Sequence, residues 1–215
     1  MRGRQAEAAR NDRLVLDAAR QVFATQGFDA PVSAVAKRAG VGMGSLYRRY
    51  GSKSELLQRL CLLAMEQAIE AAEAAVAAED AWDGLAGYVR ACVAFGAGAL
   101  APLAGTIETT PAMWRASRRG RELLEAVVAR ARRERGLRPD VTTLDVAWLV
   151  ELFSRRPAGG EGAAEDAVQA RLLAIALDGL RTPRPEPLPG APPSPSHYEG
   201  RWRYRGPEAR RERVP

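Results

Sequence analysis

The run Val32–Lys53 constrains this chain more than any other stretch, because it spells two short helices joined by a tight turn. The first helix is expected over about Val32–Ala39. Pro31 stands where the first helical residue should be, since its missing N–H is not needed there and its φ is already helical. Gly40 follows the apolar face and suits a left-handed turn residue. A second helix is expected from near Met43 to Tyr50, ended by Gly51. Ser52 can then cap a third helix, with Glu55 as the reciprocal partner of a capping box.

The residue pattern fits a helix-turn-helix. Ala36 is small where two helices must cross closely, and Val35, Ala39, Val41, Leu46 and Tyr50 form an apolar seam that an earlier helix can cover. The other face of the second helix offers Met43, Ser45, Tyr47, Arg48 and Arg49, groups that can reach base edges and phosphates, and Gly44 lets its backbone approach a duplex closely. Lys53 lies beside a helix N-terminus, where backbone N–H groups and an ammonium can hold one phosphate together.

These residues carry a family resemblance. Asn11–Leu57 resembles the N-terminal domain of TetR-family transcriptional regulators, through Phe23, Gly27-Phe28, Val35-Ala36, Ala39-Gly40-Val41, Gly44-Ser45-Leu46-Tyr47, Tyr50, Lys53 and Leu56-Leu57. The family usually has a Thr that caps the second helix and binds a phosphate. This chain has Ala30-Pro31 there, so capping is expected from Asp29, and Ser33 is the nearest hydroxyl for a phosphate. The stretch Arg130–Asp140, with Asp145 and Trp148, is also similar to the C-terminal half of the SbtR-like subgroup.

Charge supports a nucleic-acid partner by its distribution. Residues 1–55 hold ten Lys+Arg against five Asp+Glu, residues 56–181 hold fifteen against seventeen, and residues 182–215 hold seven against four. The basic surplus therefore sits at the two ends, one of them on the motif, as phosphate binding requires. A merely solvated basic face is the bland alternative. Cys61 and Cys92 fall inside helical patterns and read as small apolar residues, with redox sensing as the minor alternative. No apolar run approaches the ~20 residues of a membrane span, and the Arg-rich start lacks the apolar core of a signal peptide. A cytoplasmic protein without membrane association is expected.

The rest of the chain reads as helix. Residues 1–10 are expected to be a flexible basic arm, 11–55 the DNA-binding domain, 56–181 a helical domain, and 182–215 a disordered Pro/Arg-rich tail. Leu14, Leu16, Ala18, Ala19, Val22 and Phe23 mark the covering helix. Further helices are expected at about 54–78, 81–99, 115–135, 142–156 and 163–181, with a broken segment at 101–113. No stretch alternates at period two for long enough to argue a strand, so the fold class is all-α. Residues 183–195 contain seven prolines and read as an extended linker. Beyond it, Tyr198, Trp202 and Tyr204 lie among six arginines.

Catalysis finds little support. The single histidine, His197, lies in the tail, which removes most His-dependent chemistry and common zinc sites. Gly40–Gly44 is glycine-rich but follows a helix and lacks a Gly-Lys-Ser/Thr ending. No cofactor or metal is expected. The bulky residues of the helical domain are core by default. The resemblance implies a ligand cavity there, for which Phe95, Thr106, Met113, Trp114 and Trp148 are the candidate lining. It also implies a four-helix dimer interface on the last two helices, with Trp148, Leu152, Val168, Leu172, Ile175 and Ala176 as candidates. The expected protein is a ligand-responsive dimer on a pseudo-palindromic DNA operator, acting as a repressor, with an unidentified small-molecule effector. The rivals are a non-specific architectural DNA-binding protein and, third, a helical small-molecule-binding protein or enzyme.

Overall fold

The computed structural model describes residues 2–155, 162–181, 186, 188–200 and 202–203, without the side chains of 2–11, 24, 197 and 198. Its elements are α1 (Arg2–Gln26), α2 (Val32–Ala39), α3 (Met43–Tyr50), α4 (Lys53–Ala77), α5 (Ala81–Phe95), a 3-10 segment (Ala97–Leu103), α6 (Pro111–Arg133), α7 (Thr143–Ser154), α8 (Ala163–Leu180) and the one-turn α9 (Pro195–Gly200). The fold is all-α. Among the described residues no single helix is long and apolar enough to cross a membrane.

The chain divides into two compact units, one ending at Cys61 and the other beginning at Leu62. The division falls six residues later than the sequence suggests, because Leu56, Leu57, Leu60 and Cys61 are all buried in the opening turns of α4. In the first unit, α1 packs on α2 through Val15, Leu16, Ala18, Ala19, Val22 and Phe23. Leu14, expected on that face, is about half exposed, and Val15 takes its place. The backbone of α1 is helical from Arg2, well ahead of the apolar periodicity, and the Ala, Glu, Gln and Arg of residues 4–10 are sufficient helix formers.

The second unit closes around Trp82, Leu85 and Val89 of α5, Leu124, Val127 and Val128 of α6, Val146 and Val150 of α7, and Leu173 and Leu177 of α8. Three of its helices, α5, α6 and α7, start at side-chain caps. Asp80 accepts from the Asp83 N–H at 2.7 Å. Thr110 accepts from Met113 at 3.2 Å, with Pro111 as first helical residue. That pair starts α6 four residues before the sequence reading placed it. Thr142 and Asp145 form a reciprocal capping box on α7. Arg130 donates to the carbonyls of Val76, Ala78 and Glu79 at 3.1, 2.6 and 2.7 Å, which satisfies orphan acceptors at the end of α4. At Gly98 the 3-10 segment lies flush on α7. A Cβ there would stand 2.3 Å from the Glu151 Cα, so only glycine permits this approach.

Among the described residues, Glu186, Leu188 and Glu199 of the tail bond back to earlier residues of the second unit. Arg138 donates to Asp140 at 2.6 and 2.8 Å and to the Glu186 carbonyl at 2.7 Å, while the Leu188 N–H donates to Asp140 at 3.2 Å. Farther on, Arg121 pairs with Glu199 of α9. The expectation of disorder over 182–215 otherwise concerns 182–185, 187, 201 and 204–215, which lie outside the described residues.

Candidate nucleic-acid interface

The turn between α2 and α3 follows from Gly40. Its φ of 67° and ψ of 27° are left-handed, and the Val41 N–H reaches back to the Ala36 carbonyl at 3.0 Å, the long hydrogen bond of a Schellman ending. Pro31 takes the cap position rather than the first helical one, with extended ψ of 147° and no side-chain hydrogen bond capping α2. Ser33 is exposed in the first turn.

The second helix presents one buried and one open side. Leu46 and Tyr50 are buried, whereas Met43, Gly44, Ser45, Tyr47, Arg48 and Arg49 are exposed. This is the division the sequence predicts for a helix that lays one face on its own domain. Gly42 caps α3 without a side chain, so the N–H groups of the first turn meet no capping oxygen from it. A Cβ built at Gly44 would meet nothing within 4 Å, which leaves the helix backbone bare on the open side.

Two basic residues have partners that spacing did not foretell. Lys53 donates to the Ala30 carbonyl at 2.8 Å, with its ammonium 5.8 Å from the Phe23 ring centroid. It thus fastens the α1–α2 connection as well as opening α4, and Ser52 caps that helix by accepting from the Glu55 N–H at 3.1 Å. Arg49 lies with its Nε 3.0 Å from Asp12 of α1 rather than on the open side of α3. The same carboxylate accepts from the Tyr50 hydroxyl at 2.5 Å. Burial, then the Asp12 hydrogen bond, push the Tyr50 phenol well above its ordinary pKa.

The residues expected to line a cavity differ in exposure. Met113 is buried, Thr106 bonds back to the Leu103 carbonyl at 2.9 Å, and Trp148 is half-buried. Trp114 and Phe95 are exposed by 42% and 37%. The residues expected at a dimer interface do cluster by environment. Leu152, Val168, Leu172 and Ile175 each leave more than half of their surface exposed, and Ala176 is half-buried. Leu173, Leu177 and Leu180 on the opposite side of α8 face the core. Burial pushes the Cys61 thiol up to about 12 and the Cys92 thiol up to about 11, which keeps both protonated and unreactive.

Residues 15–60 match the family model for bacterial regulatory proteins of the tetR family. Residues 80–182 match the model for the C-terminal domain of SbtR-like transcriptional regulators. No curated protein matches the chain. Among solved structures, a TetR transcription regulatory protein from Mycobacterium vanbaalenii is 27% identical, covering 83% of this chain and 99% of its own, with a TM-score of 0.59. The TetR-like regulator LfrR from Mycobacterium smegmatis, in complex with proflavine, is 20% identical over 84% of this chain and 99% of its own, with a TM-score of 0.60. The transcriptional regulator FadR from Bacillus subtilis, in complex with stearoyl-CoA, is 19% identical over 80% of this chain and 99% of its own, with a TM-score of 0.56. The last two are similar in fold.

Proposed function

Because the chain belongs to the tetR family of bacterial regulatory proteins, we propose that it is a dimeric, ligand-responsive repressor that reads a pseudo-palindromic operator with α3. The observation that carries the reading is the open side of α3, where Met43, Gly44, Ser45, Tyr47 and Arg48 surround an uncapped helix start. Met43, Gly44 and Ser45 face bases. Tyr47 and Lys53 hold phosphates, Ser33 adds a hydroxyl, and Arg48 reaches either.

A second copy places a second α3 in a nearby major groove, roughly 34–36 Å away or a modest stretch beyond. The exposed aliphatic residues of α7 and α8 support dimerisation there, since such a row on one chain calls for a partner. The small molecules carried by LfrR and FadR support a small-molecule effector for the second unit, lodged near Phe95, Thr106, Met113, Trp114 and Trp148. It would act only by binding one arrangement of the dimer more tightly than the other. The protein works in the cytoplasm, where its DNA is.

Footprinting on genomic fragments tests the proposal. One or a few discrete protected palindromes are expected. Uniform coverage overturns sequence-specific regulation in favour of an architectural DNA-binding role.

A further inference from the structure

The carboxylate of Asp12 is joined to α3 by two contacts, and it comes from a different element, α1. It accepts from the Tyr50 hydroxyl at 2.5 Å and pairs with the Arg49 Nε at 3.0 Å. The phenol is buried, and the arginine and aspartate side chains are about one-third and one-quarter exposed. Arg59 of α4 also acts on the Tyr50 hydroxyl. A charge-assisted O–H···O⁻ bond of this length is short and strong. It holds the carboxylate in place whatever Arg49 does. Solvent screens the ion pair only in part. Arg49 therefore faces a fixed anion of its own domain, attached to the helix that reads DNA.

We infer that Asp12 is a positioning residue that withholds Arg49 from the duplex, so that the charge α3 offers to phosphates comes from Arg48 and not from both neighbours. The inference rests on the reading of α3 as the DNA-contacting helix. Its consequence is specificity. An arginine free to take any phosphate adds affinity for all sequences alike, which lowers the ratio of specific to non-specific binding. Tying that arginine to a carboxylate leaves the contribution of base contacts unchanged and removes one sequence-blind contact. Tyr50 supplies the anchor: a phenylalanine there would fill the same seam but leave Asp12 held by the arginine alone.

The test is the salt dependence of binding to a random-sequence duplex by the full chain, with Asp12→Asn, Arg49→Ala and the double variant. Asparagine keeps an oxygen to accept from Tyr50 but drops the charge. Asp12→Asn should steepen the slope of log K against log salt by about 0.9 for each chain on the duplex. That is about three- to fourfold in affinity over a fourfold range of salt. Arg49→Ala alone should leave the slope as it is, and the double variant should return to the parental slope. A flatter slope for Arg49→Ala alone overturns the inference, because Arg49 then already holds a phosphate. An unchanged slope for a folded Asp12→Asn overturns it as well. The Arg49 side chain is about one-third exposed and packs in no core, so Arg49→Ala should fold and decides the question even if Asp12→Asn does not. Failure of the parental protein to bind any duplex is a different result, and it removes the DNA-binding reading itself.

Discussion

On α3 the exposed side carries Met43, a bare Gly44, Ser45, Tyr47 and Arg48, while on α8 it carries Val168, Leu172 and Ile175 at helical spacing. Both helices bury a second side against their own unit, Leu46 and Tyr50 in one case and Leu173 and Leu177 in the other. The buried sides are alike in chemistry and say little about function. The open sides differ. A thioether, a hydroxyl, a phenol and a guanidinium suit a polar, charged surface that is met through water. Branched aliphatics have nothing to offer such a surface and gain only from a dry apolar one. The difference supports different kinds of partner for the two helices, and each variant below breaks one side of that contrast.

Leu172→Glu should have the largest effect. Leu172 is 51% exposed in the single chain, so a carboxylate there can stay hydrated and the fold should survive. In a dimer that covers the residue, the same charge would be buried unpaired. Sedimentation should show a folded monomer, with dimer affinity reduced about a hundredfold or more, the scale of a central interface residue. Leu177→Ala, on the other side of the same helix, should instead cost about 2–5 kcal/mol of stability. A folded Leu172→Glu that stays dimeric would move the interface off α8.

The corresponding break on α3 is smaller and of another kind. Ser45→Ala or Met43→Ala should change operator preference by about 1–3 kcal/mol at one base pair, and non-specific affinity much less. Selection from random duplexes measures this, and an identical consensus for variant and parent would remove these residues from base readout.

Lys53→Ala should show two modest effects at once. Loss of the phosphate contact lowers the salt slope by about 0.9 for each bound chain. Loss of the hydrogen bond to Ala30 costs about 1 kcal/mol of stability. The pairing sharpens the contrast with α8, because both effects together would show one residue serving fold and ligand at once. An unaltered slope with a lowered melting temperature would leave Lys53 a structural residue only.

The sequence made the interface legible unevenly, and for physical reasons. The span of α3, its buried Leu46 and Tyr50 and its open side follow from local rules: period, glycine punctuation and residue type. Val168, Leu172 and Ile175, which the sequence offers for an interface, are exposed on α8. That Leu173 and Leu177 form a second, inward row could not be separated from them, because α8 is apolar on both sides and its periodicity is weak. What stayed hidden depends on distant partners. Asp12 reaches Arg49 and Tyr50 across 37 and 38 residues, and Lys53 reaches Ala30 across 23, so no spacing rule connects them. Composition likewise argued for a tail without contacts, since seven prolines cannot form helix, but an extended segment can still bond through its backbone, as Glu186 and Leu188 do.

Truncation after Thr182 should therefore have the smallest effect, though not none. It removes the Glu186 carbonyl and the Leu188 N–H from the Arg138–Asp140 pair, and Glu199 from Arg121. It leaves the pair itself. The hydrogen bonds from Arg138 are the main reason the Asp140 carboxyl sits at about 2, with the Leu188 N–H as a lesser one. A carboxyl held below its unfolded value, about 4, stabilises the fold at pH above that value and loses the contribution as pH falls toward 2. At neutral pH the truncated chain should melt about 2–4 °C lower, the shift expected when a domain of this size loses a few exposed hydrogen bonds. The gap between full-length and truncated protein should narrow as pH falls through 4 toward 2, because protonated Asp140 no longer rewards the Leu188 contact. Dimer mass should not change, since the exposed residues of α7 and α8 are retained. A fall of more than about 10 °C would make the tail part of the second unit's core support. The contrast between the polar open side of α3 and the aliphatic open side of α8 would then need a third surface, the one that the tail covers.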